Sequence, residues 1–369
     1  MKKLLWIYPL FLLLFAIFSF AFVDQNLIYL KRFYSGFALD QSIITSLIYA
    51  GFIAAFFSFY FFILHLIRKN KTSVAQTKKL IGASVLLLFS YPAMLSYDIF
   101  NYIATAKVLF FYHENPYVVM PIAFAGDRLL LFTRAANKIA LYGPTWIFLS
   151  GVPFFAGLGN FLLTLFAFKL TVFLFYIAAC VLLWKMTKNL FALSLFALNP
   201  LVIIETLVSG HNDIVVMFFA LLSFYFLQKK KLWLAVIIFV AGILIKYSTV
   251  FLIPVFVYLL WKTFRKKQID WEKIFYFSFL SMLLIFLLSF VREEIYSWYA
   301  IWFLVFIPFL THRKIIVTLS LVLTFGLLLG YIPYMIRQTY EPPTLLLKTA
   351  LTFTPAVLTG MYLLYKKYA

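Results

Sequence analysis

Apolar runs of membrane-spanning length, following one another with only short basic breaks, restrict this chain more than any other feature. The first, Leu4 to Val23, carries no charge and sits directly behind Lys2 and Lys3. A hydrocarbon core about 30 Å thick takes about 20 such residues in helical form. Runs of this kind fill most of the sequence, and a mean hydropathy of +1.00 with only 12% charged residues excludes both a soluble domain and a disordered one. Only helices and closed barrels satisfy every backbone polar group in lipid, and the strict alternation of a barrel strand is absent. The expected fold class is all-α, a polytopic transmembrane helical protein.

A net charge of +20 in 369 residues would suggest nucleic acid in a soluble protein, so the placement of the charges decides. They fall between the apolar runs: Arg68 to Lys79, Lys185 with Lys188, "KKK" 229–231, "KTFRKK" 262–267, Arg313 with Lys314, and Lys366 with Lys367. Basic breaks at this spacing mark cytoplasmic loops, and no nucleic-acid partner is expected. Placing each cluster inside gives about twelve spans with both termini cytoplasmic: 4–23, 42–67, 80–97, 160–184, 190–208, 214–228, 232–247, 249–262, 272–291, 297–311, 315–332 and 344–365. Segment 142–158 would invert every later loop if it crossed, so it is read as re-entrant or interfacial. The first run lacks a small-x-small cleavage pattern and reads as a retained anchor. The whole chain, 1–369, is one integral membrane domain, with a catalytic module 1–262 that includes an outer loop 98–159, followed by C-terminal helices 263–369. Cys180 is the only cysteine, so there is no disulfide framework and no cysteine metal site.

With this topology the acidic residues sort themselves. Of twelve in the chain, Asp98, Glu114, Asp127, Asp213, Glu293, Glu294 and Glu341 fall on the extracytoplasmic side, and Glu205 lies in a helix that ends there. A polar site on that face is the natural inference. The stretch "SYDIFNYIATAKVLFFYHENPY", 96–117, opens an outer loop of over forty residues, and loops that long are usually functional. From Asp98 onward it reads as an amphipathic helix lying on the bilayer, with Asn101 on the polar face and Ile99, Phe100 and Ile103 toward lipid. Partial desolvation there would raise the Asp98 pKa and suit it as a general base; an N-cap or solvated helix end is the alternative.

In "NPLVIIETLVSGHNDIVVMFF", 199–219, Glu205 and Asn212 are seven residues apart and share a helical face, while Gly210 frees the backbone to present His211, Asn212 and Asp213. A glutamate within a span is costly and points to function. His211, with no cysteine or further histidine beside it, does not define a metal site; a divalent cation stays open and no cofactor is expected. Lys246 interrupts an apolar run at an outer turn, where it either snorkels or binds an anionic headgroup or phosphate. Arg292, Trp298 and Tyr299 follow in "FVREEIYSWYAIW", 290–302; such aromatics serve either as an interfacial belt or as stacking faces for a sugar.

In order, "SYDIFNY", "HENPY", "YGPTW", "NPLVIIETLVSGHND", the lysine of "LIKYS" and "SWYAIW" resemble the motifs of GT-C fold glycosyltransferases that use polyprenyl-phosphate sugars. The chain is most similar to the bacterial polyprenol-phosphomannose-dependent α-mannosyltransferases, over residues 90 to 305. The resemblance implies an inverting transfer of a hexose, mannose above others, from a polyprenyl-phosphate donor to an extracytoplasmic glycan or lipid acceptor. It implies Asp98 as catalytic base and a donor phosphate met by Lys246, Arg292 and His211. Sugar or acceptor contacts would come from Asn101, Glu114, Asn115, Tyr117, Tyr142, Glu205, Asn212, Asp213, Trp298 and Tyr299. "HENPY" replaces a glycine-bearing form common in the family, which leaves the acceptor open. Membrane lipids are the remaining expected partners. A lipid-linked sugar transporter or flippase is the rival class, but it would place polar residues near the midplane rather than crowd them at one face. An acyltransferase would need its histidine to face cytoplasmic thioester.

Overall fold

The computed structural model describes residues 2–23, 36–291 and 294–368; Arg292 and Glu293 lie outside them. Among the described residues the chain is helical with no strand, in keeping with the all-α polytopic class. In chain order the helices are α1 (Leu4–Ser19), α2 (Ser42–Arg68), α3 (Val74–Ala83), α4 (Asp98–Phe110), α5 (Pro144–Ala156), α6 (Phe161–Thr187), α7 (Leu190–Ala197) and α8 (Pro200–Ile203). They continue with α9 (Asp213–Gln228), α10 (Leu232–Ile243), α11 (Ile253–Phe264), α12 (Trp271–Leu288), α13 (Lys314–Leu329), α14 (Ile332–Arg337) and α15 (Thr344–Tyr368), and single helical turns stand at Phe37–Asp40 and Ile301–Leu304.

Local chemistry sets many of these ends. Ser73 and Gln76 form a reciprocal capping box on α3, and Asn160, Asn189 and Asp270 accept backbone N–H groups at the starts of α6, α7 and α12. Such side chains replace the partners that the first turn of a helix lacks. Basic residues close α2, α6, α11 and α15, where they also suit the negative end of the helix dipole.

Among the described residues, seven helical segments are long and apolar enough to cross a membrane, or eight if α7 and α8, bent by 53° at their junction, form one span. The twelve runs read from sequence include several that the structure shortens or breaks. Residues 214–228 and 232–247 become helices of 16 and 12 residues, about 24 and 18 Å long. The run 80–97 splits into α3 and two 3-10 turns. Proline causes the bend after α7, because Pro200 has no N–H to continue the ladder. The hydroxyls of Tyr60 and Tyr176 donate to the carbonyls of Leu195 and Ala197 near this break, which spares buried acceptors from going unpaired.

The break after α3 is held by a buried lysine. Lys169 of α6, 1% exposed, donates to the Leu87 carbonyl (3.3 Å) and to the Ser90 carbonyl (2.6 Å) and hydroxyl (3.0 Å). The Tyr91 N–H donates to Ser19 Oγ at 2.7 Å. Both contacts fix the link that leads into Asp98. Helix α5 has 13 residues, about 20 Å of rise, less than a full crossing. Trp146, Ile147 and Ser150 face the protein while Phe148, Val152 and Phe155 are exposed.

Helix α4 departs from expectation. Ile99, Phe100 and Ile103 are buried in protein along with nearly every residue through Val108, so the helix is enclosed rather than laid on lipid. Its neighbours are α5 and α6, and Phe110 packs so closely on α5 that a Cβ at Gly151 would come 2.8 Å from its ring. An alternation of polar and apolar letters does not reveal a cover supplied by residues fifty positions away.

Candidate active site

Two local irregularities bring the polar residues together. After α8 the backbone widens into a π turn, Ile204–Val208, which contains Glu205; such turns are uncommon and recur at functional sites. The chain then reverses at Gly210, whose φ of 77° suits glycine. A Cβ there would come 2.8 Å from the Cδ1 of Ile99 on α4. This close approach sets His211, Asn212 and Asp213 against the start of α4, where Asp98 is the first helical residue. The Asn212 N–H donates to the Tyr102 hydroxyl at 3.3 Å, tying the two segments.

Asp98 is the carboxylate that reaches the surface: its side chain is 30% exposed, whereas Glu205 and Asp213 are 0% exposed. Its Oδ2 lies 3.5 Å from His211 Nδ1, and its Oδ1 receives the Asn101 amide at 3.5 Å. The Asp98 N–H donates to Ser96 Oγ. Burial pushes the carboxyl up, but His211, Lys246 and Asn101 outweigh it and hold Asp98 below its ordinary value of 3.8. The expectation of a raised pKa is thereby reversed, because desolvation meets nearby positive charge. Asn101 also accepts the Ala135 N–H at 3.1 Å, so it braces the outer loop against α4.

On the opposite side stands Lys246. Its Nζ lies 2.8 Å from Asp213 Oδ1, which also accepts the Trp302 indole N–H at 2.6 Å. The ammonium sits over the rings of Tyr299 (4.5 Å) and Trp302 (5.3 Å), a placement that attracts a cation to the negative ring face. Its side chain is 20% exposed. The "YGPTW" segment supports this position from beneath: the Gly143 and Thr145 N–H groups donate to the carbonyls of Ile245 and Leu244, each at 3.0 Å. Any side chain at position 143 would collide with the Leu244 carbonyl. Tyr142 lies edge-on to Tyr102, and the Tyr117 hydroxyl donates to its carbonyl at 2.9 Å.

Several expected contacts take a different place. Trp298 stacks on His211 (3.9 Å) and on Tyr296 (4.5 Å) and is buried, so little of its ring is open to a sugar. Tyr299 stacks on Trp302 at 4.3 Å. Glu205 lies behind His211, out of reach of a substrate at Asp98, and Asp213 serves Lys246. Asn212 is fully buried with neither side-chain polar atom hydrogen-bonded. Glu114 and Asn115 are exposed, and Asn115 closes a turn by accepting the Tyr117 N–H. Arg292 lies outside the described residues. Sequence reading missed Trp302, Tyr102 and Tyr331; the last donates to Glu205 Oε1 at 2.7 Å. Among the described residues no group of three or more His, Cys, Asp or Glu side chains is arranged to hold a metal.

A multi-span helical membrane protein that gathers an accessible carboxylate and a braced lysine at one end of its helices has the parts of a lipid-level transferase. The family match specifies which kind. A family model described as the alpha-(1->6)-mannopyranosyltransferase N-terminal domain matches residues 9–263, and the chain belongs to that family. It is a glycosyltransferase of the mannosyltransferase class, acting with a sugar donor and a glycan acceptor. No curated protein and no solved structure matches the chain.

Proposed function

We propose that the protein transfers mannose from a polyprenyl-phosphate donor to an extracytoplasmic glycan or lipid acceptor in a single inverting displacement. The observation that carries this reading is the gathering of a partly exposed Asp98 and a Lys246 whose side chain is also partly exposed at the same site. Asp98 takes the proton of the acceptor hydroxyl as the oxygen attacks the anomeric carbon. The donor phosphate leaves from the opposite face, and Lys246 meets the charge that develops on it. Asp213, Tyr299 and Trp302 keep that ammonium in place.

The site's position supports the extracytoplasmic side. The span Tyr247–Phe264 begins next to Lys246 and has Lys262 in its last turn; the span Lys314–Arg337 begins at Lys314 and carries Tyr331 toward its far end. In the first span the site and the basic end are opposite, and in the second the paired Arg313 and Lys314 lie at the end away from Tyr331, although a single Arg337 follows Tyr331; the paired or clustered basic ends read as cytoplasmic. The reading is tested by supplying purified protein in vesicles with the membrane glycan fraction of the producing cells as acceptor and with labelled mannose as polyprenyl-phosphate mannose or as a nucleotide sugar. Label enters membrane glycans from the lipid donor alone; transfer from the nucleotide sugar with none from the lipid donor contradicts the reading.

A further inference from the structure

Glu205 is a fully buried carboxylate that the transfer scheme leaves idle. It lies in the π turn and has each oxygen engaged. Tyr331 donates to Oε1 at 2.7 Å and Ser209 to Oε2 at 3.1 Å, while Oε2 also stands 3.6 Å from His211 Nε2. His211 is itself 0% exposed, pressed flat on Trp298, with its other nitrogen 3.5 Å from Asp98. Neither imidazole nitrogen has a hydrogen-bond partner. An imidazole therefore stands between two carboxylates, one buried and one accessible, within 3.6 Å of each, and is stacked on an indole.

A buried carboxylate without a task would be a liability, since an apolar residue of the same shape avoids its desolvation. Here its hydrogen bonds leave one direction for its remaining interaction, toward His211. We propose that Glu205 is a positioning residue for transfer: it orients the His211 imidazole that faces Asp98. Tyr331 and Ser209 hold the carboxylate, the carboxylate holds the imidazole, and the imidazole faces the base. The inference rests on the reading of Asp98 as the base. It also gives α13 and α14, which lie beyond the family match, a part in the reaction through Tyr331.

The charged and titratable groups around this chain of contacts are few. His211, Lys246 and the Asn101 amide face Asp98, and Tyr102 and Tyr142 lie within Coulomb range of it. Around Glu205 stand His211, Tyr331 and Ser209, with Asp213 and Tyr49 farther off. His211 is a principal influence that lowers Asp98, so loosening His211 moves the ionisation of Asp98 upward.

The test compares Glu205→Gln, Tyr331→Phe and Asp98→Asn with wild type, using labelled polyprenyl-phosphate mannose as donor and the membrane glycan fraction of the producing cells as acceptor. Expected for Glu205→Gln is a kcat lower by about 100-fold with donor KM changed less than about twofold, together with an acid limb of kcat displaced to higher pH. Tyr331→Phe moves both in the same direction by about tenfold or less in kcat. Binding of the labelled donor reports that each variant is folded; if Glu205→Gln does not bind, the milder Tyr331→Phe decides. The proposal is overturned if the folded variants keep wild-type kcat, or lose it with the acid limb unmoved. An active Asp98→Asn overturns the base assignment and this proposal together; an inactive Asp98→Asn beside an active Glu205→Gln overturns the proposal alone.

Discussion

Lys246 shows how a rare charge in an apolar chain is made useful. An ammonium at lipid depth is costly unless partnered, and here a carboxylate at 2.8 Å and two aromatic faces share it. With one of its protons committed to Asp213, others remain for the proposed donor phosphate. Lys246→Gln should raise the donor KM by about tenfold or more and also lower kcat, since it removes charge present at both binding and departure of the phosphate. A steady-state titration with the lipid donor checks this, and an unchanged KM removes Lys246 from the phosphate site. At this scale the sequence was most legible where polar letters are scarce. Asp98, His211, Asp213 and Lys246 stand out against 65% hydrophobic residues. Tyr331 and Trp302 do not, because among 24 tyrosines and 8 tryptophans nothing in the letters marks which one donates to a buried carboxylate.

At the scale of elements, the breaks in helices matter as much as the helices. The π turn, the Gly210 reversal and the interrupted run after α3 each leave backbone groups that buried side chains must satisfy. Lys169 does this for the link that ends at Asp98. Replacing it as Lys169→Met leaves the Ser90 carbonyl short of a buried donor, at about 1 to 3 kcal/mol for the unpaired group, while the Leu87 carbonyl keeps the Ser90 N–H and hydroxyl. The expected result is a lower melting temperature of the detergent-solubilised protein with reduced transfer; unchanged melting shows that the break is held by other contacts. Apolar periodicity revealed that helices exist in these regions but not where they end. The run 80–97 reads as one helix because Pro92 alone disturbs it late, whereas in the structure the α-helix has ended at Ala83. Likewise α4 reads as amphipathic although tertiary packing covers it on nearly all sides.

Across the whole molecule, the site joins segments far apart in sequence: the start of α4, the π turn and Gly210 loop, the turn at Lys246, and the aromatic segment Ser297–Ala300 with Tyr331 beyond it. The family match ends at residue 263, yet Trp298, Trp302 and Tyr331 from the later part contact His211, Asp213 and Glu205. Class, membrane embedding and the motif order were open to sequence reading because composition and spacing carry them. The pairing of the later aromatics with the acidic cluster was not, since it is made only when the helices pack. The central claim, that Asp98 is the base, is tested most directly by transfer from labelled polyprenyl-phosphate mannose with wild type and Asp98→Asn, at matched membrane-inserted amounts and across pH. Because the Asp98 pKa is lowered from 3.8, the base stays ionised above that value, and its contribution is lost only as pH falls through the lowered value. The account predicts that Asp98→Asn loses about 100-fold or more of kcat at neutral pH, while wild type shows no loss from Asp98 protonation down to its ordinary value. Equal activity of the two proteins at neutral pH contradicts it.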